Sequence, residues 1–147
     1  MDEMEAKAAP RGRPVPVPDE TSAGFWAAAA RHVFTLARCS ACGEMTFPPD
    51  VTCPHCLSTE PEFRFEPASG RGRLRTWSTI HRSFLQGFET PYILADVELV
   101  DHPEVRIVAR LLDCVEAELR IGLPVTVAFE QLREDVAVPA FRLETGA

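Results

Sequence analysis

Cys39-Ser40-Ala41-Cys42-Gly43 and Cys53-Pro54-His55-Cys56 are two Cys-x-x-Cys knuckles with ten residues between them. A two-residue gap lets both thiolates of a knuckle converge on one ion. Two such knuckles complete a tetrahedral four-thiolate set, the arrangement zinc takes in structural sites. Gly43 follows the first pair, where backbone amides must turn toward sulfur, and Pro54 sits in the second turn. Phe47-Pro48-Pro49 between the knuckles suits a short hairpin and not a helix. The spacing predicts a compact ribbon closed by Cys39, Cys42, Cys53 and Cys56 on one structural zinc ion. Four sulfurs leave no open position, so such an ion organises the fold and does not activate water. His55, inside the second knuckle, reads as a solvent-facing spacer. Two disulfides would need an oxidising compartment, and a redox pair normally occurs once, at the start of a helix.

The rest of the chain sets bounds on function. Its 147 residues allow one ordinary domain or a small module joined to a barrel. No apolar run is long enough to span a bilayer. Met1-Asp2-Glu3-Met4-Glu5 is acidic and lacks the regions of a signal peptide, so a cytoplasmic protein is expected, in keeping with reduced thiolates. The net charge of −7, with Lys7 the single lysine, weighs against a nucleic-acid binder, whose affinity comes mostly from neutralising phosphates. Charge is nevertheless uneven. Arg64, Arg71, Arg73, Arg75 and Arg82 stand with one acid, Glu66, whereas from Ser83 onward twelve acids face five arginines. A local basic patch of this kind suits a small phosphorylated ligand, an acidic partner surface or a solvated strand face.

Along the chain, residues 1–18 read as an unstructured tail, because Pro10, Pro14, Pro16 and Pro18 sustain neither a helix nor a central strand. A helix is expected over 19–32, with Asp19 to Ser22 offering caps and Phe25, Trp26, Ala29 and Ala30 one apolar face. That face packs on the protein's own barrel or docks on a partner. Alternation at Val33–Arg38 and Glu62–Pro67 places a zinc ribbon over 33–67. From 68 to 147, stretches at 73–81, 92–100, 105–111, 124–130 and 136–143 read as strands, with a helical turn within 114–120. Five short strands in that space suit a Greek-key barrel, best an OB fold. In the first of them, alternation sets Arg73, Arg75 and Trp77 on one face and Leu74, Thr76, Ser78 and Ile80 on the other. The fold class is therefore mainly β, with an N-terminal helix, a rubredoxin-like zinc ribbon and a C-terminal five-stranded OB barrel.

The ordered set Phe25-Trp26, Arg38–Gly43, Phe47-Pro48-Pro49, Cys53–Cys56, Ser69–Gly72, Pro91-Tyr92, Ile121–Val125 and Val138–Phe141 resembles the zinc-ribbon/OB-fold proteins that accompany thiolase-like enzymes and bind acyl-CoA. The resemblance spans about Phe25 to Leu143. It implies a non-catalytic accessory subunit in a hetero-oligomer with a thiolase, aldolase or acyltransferase, where the small protein helps to shape the channel for a CoA thioester. The physical reading agrees, since CoA needs cations for its phosphates beside an apolar slot. Arg73, Arg75 and Arg82 are the candidate cations, and Trp77, Phe84, Phe88 and Tyr92 the candidate walls. A free-standing nucleic-acid-binding zinc-ribbon/OB module is the competing reading, because OB barrels also bind oligonucleotides through basic and aromatic faces. No catalytic residue is assigned. His32, His55, His81 and His102 are scattered, with His81 beside Arg82 the one acid/base candidate, and Cys114 lacks a local base to activate it.

Overall fold

A computed structural model describes residues 12–144 of the chain. Helix α1 (Ala23–Ala30) begins where the Asp19 carboxylate accepts the backbone N–H groups of Thr21 and Ser22 at 3.1 and 2.9 Å, and it ends where His32 adopts a φ of 62°. The regular helix is shorter than the 19–32 expected, because Asp19–Ser22 form its capping turn and Arg31 and His32 its final turn. Phe25, Ala28 and Ala29 are buried.

Strands β1 (Thr35–Cys39), β2 (Met45–Thr46) and β3 (Phe63–Pro67) form an antiparallel sheet in the order β2-β1-β3, and the knuckles hang from its ends. Strands β4 (Arg71–Ile80), β5 (Tyr92–Leu99), β6 (Arg106–Leu112), β7 (Pro124–Arg133) and β8 (Val136–Leu143) close into a barrel in the order β4-β5-β6-β8-β7. β6 and β8 run parallel, and the other neighbours are antiparallel. The helical interruption is a short 3-10 turn at Glu116–Glu118. This is the OB barrel that the strand pattern calls for.

One continuous apolar core runs through all three parts, from Phe25 and Ala29 of α1, through Phe34, Leu36 and Met45, to Leu74, Val97, Ile107, Val125 and Phe141 of the barrel. Phe25 sits edge-on to Trp26, Phe34 and Phe47, with ring centroids 4.9, 6.4 and 5.2 Å away. The apolar face of α1 is thus committed to its own ribbon and barrel, and the helix is not a free docking element. His32 adds a polar lock. Its ring stacks on Phe129 at 5.0 Å while Nε2 meets Gln131 Oε1 at 2.7 Å.

Two expectations change. The face assignment of β4 fails past Leu74, where the register with β5 steps from Leu74↔Val97 to Thr76↔Asp96. The bulge leaves Arg75 unpaired and reverses the alternation, since a one-residue slip moves side chains to the opposite face. Trp77 comes to lie against buried Ala95 and packs on the core, on the side of Leu74 and not of Arg73. The tail also differs. Residues 1–11 lie outside the described residues, but 12–18, which carry no helix or strand, are seated on the barrel. Arg13 is the reason. Its guanidinium bonds Glu130 on β7 at 3.0 Å with its side chain only 9 % exposed.

Close approach of β4 to β5 depends on Gly72, where an added Cβ would meet Val97 Cγ1 and lie 2.9 Å from the Glu98 carbonyl oxygen. Neither neighbour is a flexible side-chain end. Gly72→Ala is expected to destabilise the chain by about 1–3 kcal/mol, read from the urea midpoint at unchanged m-value.

Candidate metal centre and ligand surface

The four sulfurs meet as the spacing requires. Sγ atoms of Cys39, Cys42, Cys53 and Cys56 all lie within 4.8 Å of one another, with Cys39–Cys56 at 3.9 Å and Cys42–Cys53 at 3.8 Å. A tetrahedral ion with metal–sulfur bonds of about 2.3 Å has sulfur–sulfur edges of about 3.8 Å, whereas a disulfide bond is about 2.05 Å. The donor set therefore fits a zinc ion and not two disulfides. β1 supplies Cys39 at its end, pinned by the Cys39 N–H to the Glu44 carbonyl at 3.0 Å, and the Leu57 N–H closes the second knuckle on the Cys53 carbonyl at 2.9 Å.

Backbone amides prepare the sulfurs for negative charge. Ala41 N–H points to Cys39 Sγ at 3.3 Å and His55 N–H to Cys53 Sγ at 3.4 Å. The N–H groups of Cys56 and His55 hold the Cys53 thiol down at about 6, against desolvation. Cys42 receives the Glu44 N–H, but desolvation and the sulfurs of Cys53, Cys56 and Cys39 outweigh it and push that thiol up to about 12. The Cys53 thiolate forms readily while Cys42 and Cys56 resist, a conflict that a divalent cation removes. Zinc bound here would supply a cross-link between the two knuckles. His55 is exposed, and its Nε2 donates to the Met45 carbonyl at 3.1 Å, tying the second knuckle to β2 and leaving the metal to the cysteines.

The candidate ligand residues do not gather in one place. Arg73, Arg75 and Arg82 are exposed and make no ion pair among the described residues. From Arg73 to Ile80 the strand alone extends roughly 23 Å at about 3.3 Å per residue, so Arg73 and Arg82 do not share one phosphate. Trp77 belongs to the core. Phe88 and Tyr92 stack at 5.7 Å, and each is covered by a guanidinium, Arg13 over Phe88 at 4.7 Å and Arg110 over Tyr92 at 5.3 Å. Arg13 and Arg110 converge on Glu130, Arg110 at 2.6 Å. Phe84 stands apart from all of them, 94 % exposed, with Leu85 beside it at 57 %.

A cavity at the barrel rim is lined by Thr79, His81, Tyr92, Arg110, Cys114 and Glu116, among others. It brings His81 and Cys114 to one place. Desolvation and the nearby carboxylates of Glu118 and Asp113 raise the Cys114 thiol, which opposes use as a nucleophile. Residues 12–18 and Arg13 in particular had no signal in the sequence, because the partner of Arg13 lies 117 positions away.

Comparison with known proteins finds two family domains in this chain. The ChsH2 rubredoxin-like zinc ribbon domain matches residues 26–62, and the ChsH2 C-terminal OB-fold domain matches residues 65–130. A DUF35 domain-containing scaffold protein of Methanocaldococcus jannaschii is 33% identical over 107 residues, 71% of this chain and 73% of that protein. A probable enoyl-CoA hydratase alpha subunit of Thermomonospora curvata is 30% identical over 130 residues, 88% of this chain; the chain spans 40% of that relative's length. The benzoylsuccinyl-CoA thiolase subunit BbsA of Geobacter metallireducens is 38% identical over 74 residues, 50% of this chain and 47% of that subunit. Among solved structures, a chain of the Ltp2-ChsH2(DUF35) aldolase superposes with a TM-score of 0.73 at 29% identity, covering 87% of this chain and 98% of that one.

The metal site yields a direct expectation. Purified protein should carry one zinc per chain, and Cys39→Ser should lose it together with the ribbon's native fold, seen as lost zinc by mass spectrometry and lost ribbon amide dispersion by NMR. A zinc-free chain with an unchanged spectrum is the contrary result.

Proposed function

The chain belongs to the ChsH2 family of zinc-ribbon/OB-fold DUF35 proteins, and from that membership we propose that it is the non-catalytic accessory subunit of a thiolase-like enzyme, a thiolase, aldolase or acyltransferase acting on CoA thioesters. The observation that carries this reading is the superposition on the DUF35 chain of an aldolase assembly, 98% of which is covered. The likeness to a thiolase subunit and to a hydratase subunit supports the same class of partner.

The chemistry of the chain is consistent with a binding role. Its metal set has no open coordination position, and the Cys114 thiol is raised and not activated. His32 is engaged by Gln131 and His55 by the Met45 carbonyl. The domain plan that goes with the proposal is a tail, a capped helix, a ribbon and a barrel, at 1–18, 19–32, 33–67 and 68–147, with the tail anchored from Arg13 onward.

The proposal extends to acyl-CoA, held mainly by the partner, with the exposed Arg73, Arg75 and Arg82 as the cations this chain has to offer at different points of the thioester's length. Trp77 packs on the core and Phe88 lies against Arg13, whereas half-buried Tyr92 also lines the rim cavity and stays a candidate wall. A reducing, cytoplasmic setting follows from four cysteines that must stay thiolates to bind metal. No helix among the described residues is long and apolar enough to cross a membrane.

Affinity purification of the tagged chain from its native host, with mass spectrometry, tests the assignment. A thiolase-fold enzyme recovered in stoichiometric amount, whose turnover of CoA thioesters depends on this chain, is the expected result. Recovery of the chain without such an enzyme, together with single-stranded DNA binding that weakens steeply with salt, would contradict it.

A further inference from the structure

The loop from His81 to Pro91 joins β4 to β5 and carries Phe84-Leu85 at its tip. Isolated exposed apolar residues are ordinary on a protein surface. This pair differs in being adjacent, almost wholly exposed at Phe84, and mounted on a loop that is braced at three points. Ser83 Oγ accepts the Leu85 N–H at 3.2 Å and donates to the Leu85 carbonyl at 3.0 Å, which fixes the turn at the tip. Gly87, at a φ of 86°, lies so close to the N-terminal segment that an added Cβ would sit 2.6 Å from the Arg13 nitrogen. Phe88 is held between the Arg13 guanidinium at 4.7 Å and the Tyr92 ring at 5.7 Å. Arg13 is itself fixed by Glu130, 9 % and 16 % exposed respectively.

The N-terminal segment is thus a strap across a loop that would otherwise sample many conformations. Ordering the loop in the free chain removes an entropy cost that binding would otherwise bear. A rigid aromatic at a contact centre is the residue type that dominates binding energies. Charge specifies the far side. Within the loop Arg82 stands beside the tip and Glu89 near its other end, while Arg71, Arg73 and Arg75 lie further back along β4, on a chain of net charge −7. Arg82, exposed and beside the tip, puts one positive charge next to the anchor.

We propose that Phe84 and Leu85 are the anchor by which this chain docks on its thiolase-fold partner, entering an apolar socket with a carboxylate at the edge that meets Arg82, and that Arg13 is the positioning residue that holds the anchor ready. This rests on the reading of the chain as an accessory subunit and names the contact that reading requires.

The test uses the full chain and the thiolase-fold enzyme recovered with it, with Kd measured by calorimetry. Phe84→Ser/Leu85→Ser should raise Kd at least tenfold, with zinc content unchanged and melting temperature little changed, because neither side chain belongs to the apolar core. Arg13→Ala should raise Kd several-fold and speed amide hydrogen exchange across Ser83–Phe88, while Glu130 keeps Arg110. A Kd of the double variant within twofold of wild type would overturn the anchor, although the subunit assignment would stand. Unchanged exchange and affinity in Arg13→Ala would overturn the strap. Absence of wild-type binding to any thiolase-fold enzyme would overturn the subunit assignment, and the anchor with it.

Discussion

Four sulfurs held within 4.8 Å of one another are the constraint on which the ribbon depends. Bringing four thiolates together without a cation opposes like charges at short range, and keeping them as thiols forfeits the charge the knuckle amides are aimed at. A divalent ion makes the arrangement favourable and turns two loops into one rigid body. The three-stranded sheet has one strand of two residues, so the ribbon has little of its own to hold those loops in place.

The consequences reach the barrel. Phe34 and Leu36 of the ribbon share one apolar core with Phe25 and Ala29 of the helix and with Leu74 and Phe141 of the barrel. A ribbon that loses its ion is expected to loosen the aromatic cluster of Phe25, Phe34 and Phe47, which joins the ribbon to α1 while β8 holds the helix from the barrel side. Metal, helix and barrel are therefore mechanically connected, although none of the four knuckle cysteines belongs to that shared core. With four sulfur donors and no open position, the ion acts as scaffold.

Features set by local spacing were legible in the sequence. The knuckles, the five barrel strands and the helix each follow from residue types that recur within a few positions. Features set by long-range contact were not. Trp77 changes face because β4 bulges between Leu74 and Thr76 as it passes from its pairing with β7 to its pairing with β5 alone, and alternation counted along one strand contains no record of that step. Phe88 and Tyr92 read as exposed walls because they flank a loop, yet Arg13 and Arg110 cover them from distant parts of the chain. Arg13 sits in a proline-rich stretch with no periodic signal, and its partner Glu130 is identified only by the fold. Phe84, by contrast, is exposed as its loop position suggests.

On the proposed function, the metal site is closed and purely structural, in a protein whose role is to dock. Zinc K-edge X-ray absorption on the zinc-loaded chain, alone and with its partner and a CoA thioester, tests that claim most directly. It should give four sulfur scatterers at about 2.3 Å in every state. An oxygen or nitrogen ligand entering the coordination sphere when the thioester is added would contradict the account and place the metal in the chemistry.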